Sequence, residues 1–180
     1  MVNVFNAKDP QGYNDGNGEV LTHNIYIALG TNLGSRLDNL HSAIKAFDPA
    51  VKVVAASRVY ETDPWGYVDQ PAFLNMAVRA QTELSPESLL HLLKDMESTL
   101  GRTPSFRNGP RLIDLDILFY DDLVMDTPGL VIPHPRLHER NFVLVPLHDV
   151  APDYLHPVLG RTVTQILQNM DRNGVNLFQD

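Results

Sequence analysis

The chain has 180 residues, 43% hydrophobic and 20% charged, which suits a single domain with a full core. A formal net charge of -8 and no cysteine argue against a nucleic-acid polymer as partner and exclude disulfides, a thiolate nucleophile and cysteine-based zinc sites. No apolar run approaches the ~20 residues of a membrane span and no basic-then-apolar leader opens the chain, so the expectation is a cytoplasmic protein with no membrane partner.

Residues 1 to about 23 are rich in Asn, Asp and Gly, lack periodicity and read as a disordered extension, a linker or a cloning remainder. Residues 24–180 are expected to form one domain. Ile25–Leu29 is a short apolar strand. Gly30-Thr-Asn-Leu-Gly34 follows, with Ser35 as the N-cap of a helix whose stripe is Leu37, Leu40, Ile44 and Phe47. A glycine loop between strand and helix either cradles phosphate or makes a tight turn, and this one lacks the Lys-Ser/Thr of a P-loop. Asp48-Pro49 ends the helix, and Val51 to about Tyr60 is β-branched and strand-like.

The segment 61–71 is a loop by its Pro and Gly content and carries the only tryptophan, Trp65. From Phe73 to Gln81 the chain alternates as a strand, with Leu74, Met76 and Val78 on one face and Phe73, Asn75 and Ala77 on the other. Phe73 beside Asn75 offers a stacking surface and a bidentate amide, suited to a flat heterocycle, or is simply a half-buried aromatic with a polar neighbour. Ser85-Pro86-Glu87 starts a helix with the stripe Leu89, Leu92, Leu93, Met96 and Leu100, closed by Gly101.

The most informative stretch runs from Gly109 to Tyr120. From Leu112 it alternates with period two, so Ile113, Leu115, Ile117 and Phe119 are assigned to a core face. Asp114 and Asp116 share the opposite face, roughly 6–7 Å apart along the strand. Adjacent carboxylates repel and need something positive beside them, which Arg102, Arg107 and Arg111 can supply. Such a pair is either a solvated face or the holder of a hard cation beside guanidinium groups that grip phosphate. Asp121-Asp122 is expected to turn into an antiparallel return strand at Leu123–Met125.

His134, Arg136, His138 and Arg140 fall within seven residues. Prolines on both sides of His134 work against a helix, so a shared metal between His134 and His138 is disfavoured. Phosphate contact is assigned to His134 and Arg140, and Arg136 and His138 are taken as surface residues. After Phe142 come V-L-V-P-L, a proline-punctuated segment to Pro157, and a last amphipathic helix around Thr162 to Met170.

From about Ile25 to Ile166 the sequence resembles the 6-hydroxymethyl-7,8-dihydropterin pyrophosphokinase family. The matching segments are Ala28–Gly34, Tyr60–Gly66, Asp69–Asn75, Gly101-Arg102, Arg107-x-Gly-Pro-Arg111-x-x-Asp-x-Asp-Ile117 and Pro133-His-Pro-Arg-x-His-Glu-Arg-x-Phe142. The resemblance implies an α/β (α+β) three-layer α/β/α sandwich with a ferredoxin-like core. It implies an ATP-dependent transfer of pyrophosphate to the dihydropterin, giving AMP, in folate biosynthesis. By that analogy Asp114 and Asp116 hold two Mg2+ ions, and Arg102 and Arg111 stabilise the phosphoryl group in transfer. His134 and Arg140 meet the nucleotide phosphates, with Glu97 and Ile117 near the nucleotide. Thr62, Pro64, Trp65, Phe73, Asn75 and Phe142 form the pterin pocket, and Asp114 also touches that substrate. Loops at 62–71 and 101–110 are expected to close over the substrates. The partners implied are ATP and the pterin, in a monomer or in fusion with neighbouring folate-pathway enzymes. The sequence departs from the family habit at Asn108, Pro104, Lys94, Gly129 and Val131.

Overall fold

The computed structural model describes residues 21–102, 106 and 108–179. Residues 1–20 of the extension expected at 1–23, Pro104 and Arg107 lie outside the described residues, and His23 of that stretch already belongs to the first strand. The elements run β1 (His23–Thr31), α1 (Arg36–Ala46), β2 (Val51–Ala56), β3 (Tyr60–Thr62), β4 (Phe73–Thr82), α2 (Pro86–Thr99) and β5 (Asp114–Tyr120). They continue with β6 (Met125–Asp126), β7 (Val131–Ile132), α3 (Asn141–Val150), α4 (Val163–Leu167) and β8 (Val175–Leu177). One antiparallel sheet has the order β5-β1-β4-β3-β8, with β2 also paired to β4. Within it β1-α1-β2-β4-α2-β5 traces the βαββαβ order of a ferredoxin-like core.

The sheet is covered on both faces, giving three layers. On one face Ile25, Ile27 and Leu29 of β1 and Leu74, Met76 and Val78 of β4 pack with Leu40 of α1 and Leu89 and Leu93 of α2. On the other, Tyr26, Ala77 and Phe119 pack with Leu144 and Leu147 of α3 and Ile166 of α4. The helices start as their residues dictate. Ser85 Oγ accepts the Ser88 amide at 3.2 Å before Pro86, and Thr162 and Gln165 form a capping box at α4. Ser35 occupies the N-cap position of α1 without a side-chain bond.

Four expectations change. The strict alternation assigned to β5 breaks, because its register with β1 slips between Tyr26 and Ile27. Ile27 faces Ile117 while Tyr26 faces Phe119, so Leu118 is the extra residue of a bulge. Phe119 therefore packs in the α3/α4 core, not with Ile113, Leu115 and Ile117. The stretch from Val51 to Tyr60 is two strands, both on β4, separated where Ser57 Oγ accepts the Ala77 amide at 2.9 Å. The return after Asp121 does not pair with β5; Met125–Asp126 pairs with Val131–Ile132 as a small separate sheet. Finally, V-L-V-P-L is the body of α3, with Pro146 inside it. Proline removes one intrahelical bond, the one Phe142 would otherwise accept, and burial of Val143, Leu144 and Leu147 offsets that loss.

Candidate active site

In an antiparallel sheet the end of β1 lies beside the beginnings of both β4 and β5. Gly30 faces Asn75 on one side and Asp114 on the other, and Ala28 faces Ala77 and Asp116. Two strand spacings, roughly 10 Å, thus separate the Asn75 amide strand from the carboxylate strand, with small residues as the floor between. Glycine at 30 leaves room for the Asn75 amide, since a Cβ there would stand 2.8 Å from Asn75 Oδ1 and displace it. Above this floor is a cavity of about 350 Å³ lined by Thr62, Trp65, Phe73, Asn75, Arg102, Arg111, Asp114, Asp116, His134, Arg140 and Phe142. Eleven of the fourteen residues assigned from the sequence meet there.

The other three do not line it. Pro64 is half-buried beside the cavity loop. Ile117 lines an adjoining cavity of about 220 Å³ that shares Asp116 and His134 with the first. Gly129 and Val131 line that second cavity too, and nothing in the structure requires glycine at 129, where a Cβ would meet open space. Glu97 is buried, only 2% exposed. Its Oε1 accepts the Leu115 amide at 2.7 Å and Lys94 Nζ at 2.8 Å, and its Oε2 takes Arg102. Glu97 therefore holds two cationic side chains in place and locks α2 to the start of β5.

The apolar end of the cavity is an aromatic wall with one polar pair. Asn75 Nδ2 donates to Thr62 Oγ1 at 2.7 Å, both residues being buried. Its Oδ1 has no hydrogen-bond partner among the described residues, and the residue lines the cavity. Phe73 and Phe142 stand at this end, and the Trp65 ring centroid is 6.0 Å from that of Phe142. Arg136, assigned to the surface from sequence, instead stacks its guanidinium 4.3 Å from the Trp65 ring centroid, and Arg140 lies 5.2 Å from the same ring. His138 is exposed, as assigned.

The other end is charged. Arg102 and Arg111 grip the two oxygens of Asp114, at 2.9 and 2.7 Å. Among the described residues Asp116 has no such partner; the cation paired with it is Lys94, whose Nζ stands 4.0 Å away. Burial pushes the Asp116 carboxyl up and the charge of Asp114 adds to that, while Lys94 and Arg140 pull it back. Lys94, read from sequence only as a departure, is thus an electrostatic neighbour of the pair; its three-residue spacing from Glu97 was the available signal. Burial, then Arg140, lowers the His134 imidazole to about 4, so it is neutral near pH 7. The Arg136 amide donates to its Nδ1 at 3.2 Å, which places the ring proton on Nε2. Arg140 Nε is buried without a partner among the described residues.

Among the described residues no three His, Cys, Asp or Glu side chains converge as a metal cage. Asp114 and Asp116 nevertheless fit magnesium, which keeps its waters and takes one or two carboxylates plus substrate phosphates. The raised Asp116 carboxyl is the observation that favours it, since a cation there would offset the repulsion between the pair.

A profile of the 7,8-dihydro-6-hydroxymethylpterin-pyrophosphokinase family matches residues 26–152. The chain is 39% identical over 171 residues to a folic acid synthesis protein of Dictyostelium discoideum, covering 95% of this chain and 25% of that protein. It is 43% identical over 152 residues to the 2-amino-4-hydroxy-6-hydroxymethyldihydropteridine pyrophosphokinase of Methylorubrum extorquens, covering 83% of this chain and 95% of the relative. A crystal structure of wild-type Plasmodium falciparum HPPK-DHPS with pteroate shares the fold, with a TM-score of 0.70 at 18% identity over 83% of this chain and 44% of that one.

Proposed function

Since the chain belongs to the 7,8-dihydro-6-hydroxymethylpterin-pyrophosphokinase family, we propose that it transfers pyrophosphate from ATP to the hydroxymethyl oxygen of 6-hydroxymethyl-7,8-dihydropterin in folate biosynthesis. The observation that carries this reading is the pairing across Gly30 of a heterocycle-binding amide and a carboxylate–arginine cluster in one cavity. A pterin held between Phe73 and Phe142, with its amide edge on Asn75, would direct its hydroxymethyl group towards Asp114 and Asp116.

In the reaction the hydroxyl oxygen bonds to the β-phosphorus of ATP, the bond from that phosphorus to the α–β bridging oxygen breaks, AMP departs, and the hydroxyl proton passes to solvent. No side chain need act as a strong base; positioning and charge neutralisation carry such a transfer. Arg102 and Arg111 exchange Asp114 for phosphate oxygens when ATP enters, which frees that carboxylate. His134 donates Nε2–H and Arg140 its unpartnered Nε–H to the nucleotide phosphates, the former without adding charge. Lys94 stays on Glu97 and keeps a positive charge beside Asp116. Bound Mg2+ on Asp114 and Asp116, two ions by family analogy, would supply the remaining neutralisation of the phosphates.

Among the described residues no helix is long and apolar enough to cross a membrane, and a cytoplasmic setting is the reading we adopt. The chain spans a quarter of the Dictyostelium protein and nearly all of the Methylorubrum enzyme. That contrast supports a unit able to work alone or fused to neighbouring folate-pathway enzymes.

The test is mass-resolved turnover of ATP with the hydroxymethyl pterin, with and without Mg2+. AMP is expected in step with the pterin pyrophosphate, only with metal present, and Asp116→Asn is expected to lower turnover by at least about 10²-fold. Formation of ADP, or full activity in Asp116→Asn, would overturn the reading.

A further inference from the structure

Two amide side chains outside the aromatic and charged walls join three separate segments. Asn32, at the end of β1, is 2% exposed. Its Nδ2 donates to Gln70 Oε1 and to the Pro71 carbonyl, both at 3.0 Å. Its Oδ1 accepts the Arg111 amide at 2.8 Å, and its own amide donates to the Arg111 carbonyl at 3.1 Å. Gln70 continues the relay. Its Nε2 donates to the Tyr67 carbonyl at 2.7 Å within its own loop and to the Asn108 carbonyl at 2.8 Å across the cavity mouth.

The consequences reach both substrates' sides. Arg111 is held at its backbone by Asn32 through both its N–H and its C=O, and its guanidinium is 2.7 Å from Asp114. Asn108 sits with positive φ against Gly66, where a Cβ on Gly66 would meet Asn108 Nδ2 at 2.6 Å. Gly66 follows Trp65 directly, so the segment that carries the tryptophan and the segment that carries Arg111 meet through Asn108 and Gln70. An amide with both donors engaged has one arrangement, and a buried one left unpaired is penalised.

We propose that Asn32 and Gln70 are positioning residues that fix Arg111 relative to the pterin wall, so that ordering of residues 65–71 around one substrate sets the arginine that serves the other. The proposal rests on the pyrophosphokinase reading for its effect on turnover, but not for the coupling itself. Both residues act through the backbone of Arg111 and Asn108 and touch neither reacting atom.

Gln70→Met keeps side-chain length and removes the relay. Hydrogen exchange at the Arg111 amide is expected to quicken at least tenfold in the substrate-free protein, because Asn32 loses one of its anchors. With ATP and pterin, kcat is expected to fall about 10²-fold, as misplacement of a reacting group by about 1 Å does, while KM for ATP stays within about threefold and the melting temperature drops by only a few degrees, as loss of one buried hydrogen bond does. Gln70→Glu, which keeps the acceptor for Asn32 and loses both donors, should fall between the parent and Gln70→Met in exchange rate. Unchanged exchange at Arg111 overturns the coupling. Faster exchange with unaltered kcat overturns the positioning role, as does a kcat loss accompanied by a melting temperature lowered well beyond a few degrees. A parent protein that forms no AMP would defeat the functional reading alone, and the exchange measurement would still decide the coupling.

Discussion

Gly30 has strand neighbours on both sides and no room for a side chain. A Cβ there would press on Asn75 Oδ1 at 2.8 Å, while the same amide is tied to Thr62 on its nitrogen side. Gly30→Ala must therefore rotate the amide away from the cavity or break its bond to Thr62. Calorimetry should show pterin affinity lower by about tenfold, the equivalent of one hydrogen bond, with ATP affinity unchanged. His134 offers a second test. Its pKa in the fold, about 4, lies below the ordinary value of 6.5, so the folded protein binds fewer protons between those values than the unfolded chain. The stability it contributes is complete above about pH 6.5 and is lost as pH falls towards 4, with a slope of at most about 1.4 kcal/mol per pH unit. NMR titration should show the His134 ring predominantly neutral down to pH 5, and His134→Gln should decline less steeply in urea stability over that window.

At the scale of elements, α3 brings Phe142 and Val143 to the cavity from its first turn and is pinned at its far end by Asp149. That carboxylate accepts from Arg58 Nε and Nη2, the Arg58 amide and the Tyr60 hydroxyl, at 2.8–3.1 Å. Burial alone would raise the Asp149 carboxyl, but the bonds from Arg58 and Tyr60 outweigh it and hold it below its usual range. Asp149→Ala leaves the buried Tyr60 hydroxyl without this partner, and a loss of about 1–3 kcal/mol is expected, read as a lower urea midpoint at unchanged m-value. The contribution is present above the unfolded carboxylate pKa of about 3.9 and is lost as pH falls through the lower folded value. What the sequence made legible follows the same lines. α1, α2, β1, β4 and the carboxylate end of β5 have undisturbed periodicity, and each was readable. Phe119 was not, because a bulge is a pairing property that one strand's alternation does not carry. α3 was hidden because Phe142 to Val145 are apolar at every successive position, which blurs the helical spacing, and Pro146 reads as a breaker. Arg136 was hidden because its stacking partner, Trp65, is far away in sequence.

At the scale of the whole molecule, the segment after α4 braces the aromatic wall of the cavity from two sides, although it lies beyond the residues matched by the family profile. β8 pairs with β3, Val175 facing Thr62, and the Asp63 amide donates to the Gly174 carbonyl at 3.0 Å. Just before it, the Asp171 and Asn173 carbonyls accept Asn141 Nδ2 at 3.2 and 3.1 Å, where α3 begins beside Phe142. Phe178 packs into the α1/α2 core, and its amide donates to the Val59 carbonyl at 2.9 Å. A three-residue strand is too short for its period to be seen, so sequence reading left these residues unassigned after Met170. Deleting residues 171–180 takes only the half-buried Phe178 from the edge of the α1/α2 core, but it exposes the backbone of β3 as a new sheet edge. It also releases Thr62 on one side and the start of α3 on the other. The shortened protein should retain its far-UV circular dichroism and melt lower. Its pterin affinity should drop by about tenfold or more as Thr62, Asn75 and Phe142 lose their fixed separation, the cost of losing pre-organisation being borne by binding. ATP-side contacts on Arg102, Asp116 and His134 come from α2, β5 and the turn before α3, so nucleotide binding should change far less. Equal losses for both ligands would show that β8 supports the fold as a whole and not the pterin wall.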